Sequence, residues 1–185
     1  MNYIVAQILA GLAVIITFLG YLKNDKGNFL KYVLISNILY CIHYFFLNDL
    51  SFVIAIIIGS FRNVVFLKYV NSKRLVPVYI LLLFELLTVL SGLLAYSGLF
   101  SLVPIFQVCL YTYGVWQPNL GKMYFICFIV MAIGVFYNFF IGAYVAIIGN
   151  VIEIVASILG LVKLNFKKVV KLCIFIVCNF FFLVE

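Results

Sequence analysis

Charge is what this chain has least of. Of its 185 residues 9% are charged and 68% are hydrophobic, where soluble domains are about 25% charged and 45–50% apolar. Mean hydropathy is +1.32. A chain this size has too little interior to hide the excess, so lipid must be its solvent. Chemistry is scarce as well, with one histidine, one tryptophan and three prolines. There is no H-E-x-x-H, no G-x-S-x-G and no glycine-rich phosphate loop, so no nucleophile stands beside a base. Neither catalysis nor a cofactor or metal site is expected. Cys41, Cys109, Cys127, Cys173 and Cys178 form no C-x-x-C pair and all lie in apolar stretches, where a thiol behaves as a small hydrophobe. Met1-Asn2-Tyr3 carries no basic region, and the apolar stretch behind it runs to Tyr21-Leu22. That is a spanning length, not a cleavable leader.

About 20 apolar residues cross a bilayer as a helix, and on that measure eight segments are predicted. They cover 3–22, 30–48, 51–69, 76–97, 99–116, 122–141, 143–163 and 169–184. Lys23 to Asn28 and Asn71 to Arg74 are polar breaks, and Gln117-Pro118-Asn119-Leu120-Gly121-Lys122 is a proline–glycine turn. Asn48-Asp49, Ser97-Gly98 and Ile141-Gly142 read as tight links between antiparallel neighbours. The last segment is short. It is read as an eighth span, with an interfacial helix anchored by Lys167, Lys168 and Lys171 or a re-entrant end as the alternatives.

The net charge of +7 is explained by orientation. Eleven of the twelve basic residues fall in the odd-numbered loops or the helix ends beside them, and the even loops have none. The positive-inside rule then sets the odd loops in the cytoplasm and the N-terminus outside. The basic loops hold no nucleic-acid-binding motif, so the bilayer is the expected partner and nucleic acid is not. Association of identical copies is left open.

A slide of 94 positions sets segments 1–3 over segments 5–7. Gly20 meets Gly114, Gly27 meets Gly121, and Phe45-Phe46 meets Phe139-Phe140, among nine identities over 7–69. Identity alone is weak in so biased a composition; the joint alignment of loops, glycines and aromatic tails weighs more. The expected fold is therefore all-α transmembrane: two parallel three-helix repeats (1–70 and 99–165) joined by a linker helix (71–98), giving seven spans. The short C-terminal eighth helix (166–185) completes a single membrane domain.

Ionisable groups inside spans face a bundle interior or a cavity. Arg62, Glu85 and Glu153 are the candidates. Arg62 precedes Lys68 by roughly 9 Å of helix, so it either snorkels to the headgroups or turns inward. Glu153 lies near mid-membrane, where a carboxylate must be neutral or paired. Asn150, Glu153, Ser157 and Gly160 share one helical face, and Gly59, Arg62 and Asn63 another. The reading is that the two stripes oppose each other, with Arg62 reaching Glu153. That pair is either a structural ion pair or part of a substrate site made by Arg62, Asn63, Asn150, Glu153 and Ser157. Glu85, without an evident partner, is read as a packing residue. Pro104 reads as a hinge, with Gln107 one turn further in. His43, Tyr137 and Asn138 stand near the even-loop ends, as an outer gate or as part of an interfacial aromatic belt.

Gln7 to Tyr69 resembles the first half of the YgjV family (Imp-YgjV), small bacterial inner-membrane proteins. The resemblance runs through the glycine-containing first helix, the Lys/Asp loop, His43-Tyr44-Phe45-Phe46 and Ser60-Phe61-Arg62-Asn63. The second half is similar through Pro104 and Tyr137-Asn138-Phe139-Phe140-Ile141-Gly142, although Tyr137 stands where the family tends to carry histidine. The resemblance implies a bacterial inner-membrane location and a 3 + 1 + 3 layout similar to SWEET, PQ-loop and PnuC transporters. It implies no solute, since fold does not fix function. The expectation is a small-solute transporter working by alternating access between two triple-helix bundles. The alternative is a non-transporting subunit, lipid-binding module or sensor.

Overall fold

The structure, a computed structural model, describes residues 2–46, 50–94, 98, 102–140 and 144–164. Among these the regular structure is entirely helical: α1 Asn2–Leu22, α2 Lys26–Phe46, α3 Leu50–Asn71, α4 Val78–Leu94, α5 Leu102–Trp116, α6 Leu120–Phe140 and α7 Tyr144–Lys163. Five are long and apolar enough to cross a membrane, namely α1, α2, α3, α6 and α7, while α4 and α5 are shorter apolar helices. The expected segment 169–184, with Lys167, Lys168, Lys171, Cys173 and Cys178, lies outside the described residues. So do Asn48-Asp49, Ser97 and Ile141-Gly142. Gly98 has φ +136°, a backbone region that only glycine enters without strain.

Helices α2 and α6 begin earlier than the expected 30 and 122, at Lys26 and Leu120. The reason is capping. Asp25 Oδ2 accepts the Asn28 N–H at 2.7 Å and its carbonyl accepts the Phe29 N–H at 2.9 Å. Asn119 does the same with Lys122 N at 3.1 Å and Met123 N at 3.0 Å. A polar run that looks like a loop is thus a cap followed by the first helical turn. Just before each cap, Lys23 N bonds Gly20 O at 3.2 Å and Gln117 N bonds Gly114 O at 3.1 Å. Asn24, at φ +50°, supplies the left-handed residue that ends α1. Asp25→Ala and Asn119→Ala are each expected to cost about 1 kcal/mol. Equal losses in detergent unfolding midpoints would show that the two turns do equivalent work.

Each helix packs against its chain neighbours, and α7 returns to pack against α1, so the seven close a circuit in chain order. Helix α4 fills the place between α3 and α5. The buried stripe of α1 is largely small, with Ala6, Ala13, Thr17 and Gly20 inward, whereas Ile4, Ile8 and Ile15 lie outward. Small residues let backbones approach closely in lipid, where large apolar side chains gain little by turning inward. At Gly20 an added Cβ would lie 2.9 Å from Tyr32 Cβ, so α1 and α2 are in backbone-close contact there. Gly114 would meet Ile126 Cγ2 at 2.8 Å in the same way.

Large buried side chains collect at one end. Tyr21, Phe29, Leu30, Phe66, Val115, Met123, Tyr124, Cys127 and Leu161 are all essentially inaccessible. Every one stands in the half of its helix nearest the connections that carry Lys23, Lys73, Arg74 and Lys122, hereafter the basic end. Tyr21, Phe29 and Tyr124 form a three-way aromatic contact, with ring centroids 4.9, 5.3 and 6.1 Å apart. The described core is thus a plug at the basic end.

Candidate functional site

Four side chains tie backbone across helices at this plug. Tyr124 Oη donates to Tyr21 O at 3.0 Å, and Lys163 Nζ to Leu22 O at 3.4 Å. Lys26 Nζ donates to Gln117 O at 2.7 Å and Trp116 O at 3.3 Å, and Trp116 Nε1 to Val76 O at 2.9 Å. The last carbonyls of a helix lack intrahelical partners and carry the negative end of its dipole. A buried ammonium at the end of α5 and a lysine at the end of α1 answer both needs. Lys26→Met is expected to lower stability by about 2 kcal/mol, the scale of charge-assisted bonds, read as a lower SDS-unfolding midpoint.

One helical turn in from Phe66 of the plug stands Arg62 on α3. It is 4% exposed and turned inward, so the snorkelling alternative does not hold. Its Nη1 donates to Thr112 Oγ1 on α5 at 2.6 Å, while Nε and Nη2 donate to Asn63 Oδ1 at 3.1 and 3.0 Å. The guanidinium lies over the Tyr111 ring, 5.1 Å from its centroid. Glu153 is not among its hydrogen-bond partners, which corrects the expected Arg62–Glu153 pair. The structure instead sets Thr112 of α5 within reach of the guanidinium, which takes the bond expected of Glu153. The two groups nevertheless share neighbours, since Tyr111 and Cys127 interact electrostatically with both.

Asn63 is completely buried, and its Nδ2 has no hydrogen-bond partner. Tyr21 Oη is also buried without one. Ser157, fully buried, donates to Glu153 O of its own helix at 2.8 Å. Glu153 lies on the face that buries Ala156, Ser157 and Gly160, yet it keeps some accessible surface. Asn150 and Gln107 both press on Gly134: a Cβ there would lie 2.5 Å from Asn150 Nδ2 and 2.6 Å from Gln107 Nε2. Gln107 Nε2 also donates to Val130 O at 3.2 Å. Gln107 and Asn150 are thus brought together across α6, one on α5 and the other on α7. Glu85, half-buried on α4, stands beside Cys109 of α5. Among the described residues no cluster has the make-up of a metal site.

The gate readings fare differently. Pro104 is the third residue of α5 as described. First-turn N–H groups have no intrahelical acceptor, a position where proline is tolerated. His43 is buried, with Nδ1 2.7 Å from Ala6 O, so it fastens α2 to α1. Tyr137 and Asn138 are half-buried near the far end of α6. Thr112, Tyr111, Tyr21 and Lys26 were missed by the sequence reading. A lone threonine or tyrosine in an apolar run gives no signal until the opposing helix is known.

The described groove of about 560 Å³ lies elsewhere, between α2 and α3, lined by Ile38, Cys41, Phe45, Ile57 and Phe61 with Asn37 and Ser60 among them. Asn37 Nδ2 donates to Ser60 Oγ at 3.0 Å, and the lining is otherwise apolar.

Comparison with known proteins gives one match: a family model, Imp-YgjV, described as a bacterial inner membrane protein, over residues 4–168. No curated protein and no solved structure matches. With most of its length covered by that model, the chain belongs to the Imp-YgjV family of bacterial inner membrane proteins.

Proposed function

We propose that this protein moves a small solute across the inner membrane by alternating access, with two three-helix units (α1–α3 and α5–α7) rocking about the plug and α4 as linker. The observation that carries the reading is the polar group at Arg62, Asn63 and Thr112, buried beside the plug of large side chains at the basic end. A charge held at such depth is expensive and marks solute or ion pathways in membrane proteins. The pairing of caps and close glycines at a spacing of 94 supports a duplicated unit: Gly20, Asp25 and Phe29 correspond to Gly114, Asn119 and Met123. On the positive-inside argument the basic end is cytoplasmic and the N-terminus outside, so this conformation is closed inward. Arg62, Asn63 and Thr112 bind, Asn150, Gln107 and Glu153 line the approach, and the ties from Lys26, Tyr124 and Lys163 are the bonds that opening inward must break.

Proteoliposome flux with a panel of sugars, amino acids, nucleosides and organic acids tests this. Saturable uptake of one class is expected, lost in Arg62→Met. The alternative is a non-transporting lipid-binding or sensor protein, and the apolar groove between α2 and α3 is the observation on its side. If no solute moves while lipid alone stabilises the purified protein, the transport reading fails.

A further inference from the structure

We infer that the Arg62 site takes the carboxylate of a small monoanion, admitted along the Gly59 side of α3. This deepens the transport reading and rests on it for the role of the ligand, though not for the existence of the site. Three observations converge.

The first is charge. Arg62 is 4% exposed, and its guanidinium donates to two neutral oxygens, Thr112 Oγ1 and Asn63 Oδ1, not to a carboxylate. Glu85 of α4 acts on it electrostatically but is not a hydrogen-bond partner, so this interior cation has no carboxylate in direct contact. Second, donors exceed acceptors. Guanidinium has five N–H groups, of which three are used in these bonds, and the adjoining Asn63 Nδ2 is buried without an acceptor. Spare N–H donors beside a positive charge form a receptor for an oxyanion. Third, there is room. A Cβ added to Gly59 would meet a single atom within 4 Å, Arg62 Nη2 at 3.7 Å. Gly59 lies one turn from Arg62 on the side away from the basic end, so this room lies on the side of Arg62 away from the plug.

The choice of a monoanion follows from the count. One guanidinium matches one negative charge, and a planar carboxylate fits the guanidinium fork. A phosphate dianion would need a second cation, while the other ionisable groups nearby are the acids Glu85 and Glu153, Cys127 and the Tyr111 phenol.

The test uses the full chain in an uncharged detergent, with thermal unfolding followed against acetate, pyruvate and benzoate. Each is set against its neutral amide, and inorganic phosphate is the third arm. At least one carboxylate should stabilise saturably, at a half-maximal concentration at least tenfold below that of its amide. Gly59→Val, which fills the space but keeps every donor, should abolish the response, and Arg62→Lys should weaken it tenfold or more. A flat response to all three acids, equal responses to acid and amide, a preference for phosphate, or an unaltered response in Gly59→Val would each overturn the site. Carboxylate binding without flux in proteoliposomes would defeat the transport reading alone. Flux of a neutral solute untouched by Arg62→Lys would defeat the anion site alone.

Discussion

Replacing Gly160 with valine is expected to cost about 3 kcal/mol, at the upper end for an overpacked core, and to leave little monodisperse protein after extraction. An added Cβ would lie 2.5 Å from Tyr124 Cε2 and 2.7 Å from Cδ2. The ring has nowhere to go. It is wholly buried against Tyr21 and Phe29, and its hydroxyl is fixed to the end of α1. Displacing it would therefore loosen α1, α2, α6 and α7 together. Gly11 is the matched control, because nothing lies within 4 Å of a Cβ there. Gly11→Ala should gain about 0.5 kcal/mol from helix propensity alone. Size-exclusion profiles and thermal midpoints of both variants decide the matter; a Gly160→Val protein as stable as wild type would show that the plug is not tightly packed.

Gly160 also shows what the sequence reading can and cannot supply. Its place on a helical face with Asn150, Glu153 and Ser157 follows from spacing alone. That the face meets Tyr124 of α6 does not, because periodicity fixes azimuth within a helix and says nothing of the rotation of its neighbour. The same holds for Arg62. Its burial was one of two readings, since a charge in hydrocarbon either snorkels or turns inward, and its partner Thr112 lies 50 residues away on another helix. Helix existence was legible because about 20 apolar residues is a length set by the bilayer. Helix starts were less so: Asp25 and Asn119 are polar like a loop and act as caps. His43 drew notice as the sole histidine, and its chemistry turned out to be a bond to the Ala6 carbonyl.

The largest coupling in the molecule is expected between Arg62 and Asn63. Asn63→Leu removes the acceptor of both Nε and Nη2 and leaves a buried guanidinium with Thr112 as its one hydrogen-bond acceptor beside the Tyr111 ring. Breaking one side of a buried ionic group costs about 3–5 kcal/mol, and loss of the orphaned Nδ2 returns only about 1 kcal/mol of that. Arg62→Met removes the charge but strands the Asn63 amide with neither oxygen nor nitrogen paired, a loss of about 1–3 kcal/mol. In the double variant Arg62→Met/Asn63→Leu both polar groups are gone, and two apolar side chains of similar size replace them. Such exchanges are close to neutral. The double variant should therefore be more stable than Asn63→Leu, with a coupling energy of at least about 2 kcal/mol in SDS titrations of the four proteins. Additive losses would mean that the pair is not the unit drawn above. The cycle also separates folding from function, since a stable double variant has no guanidinium. Such a protein, intact and unable to respond to any carboxylate, would place the cost of keeping Arg62 in the membrane on ligand binding and not on the fold.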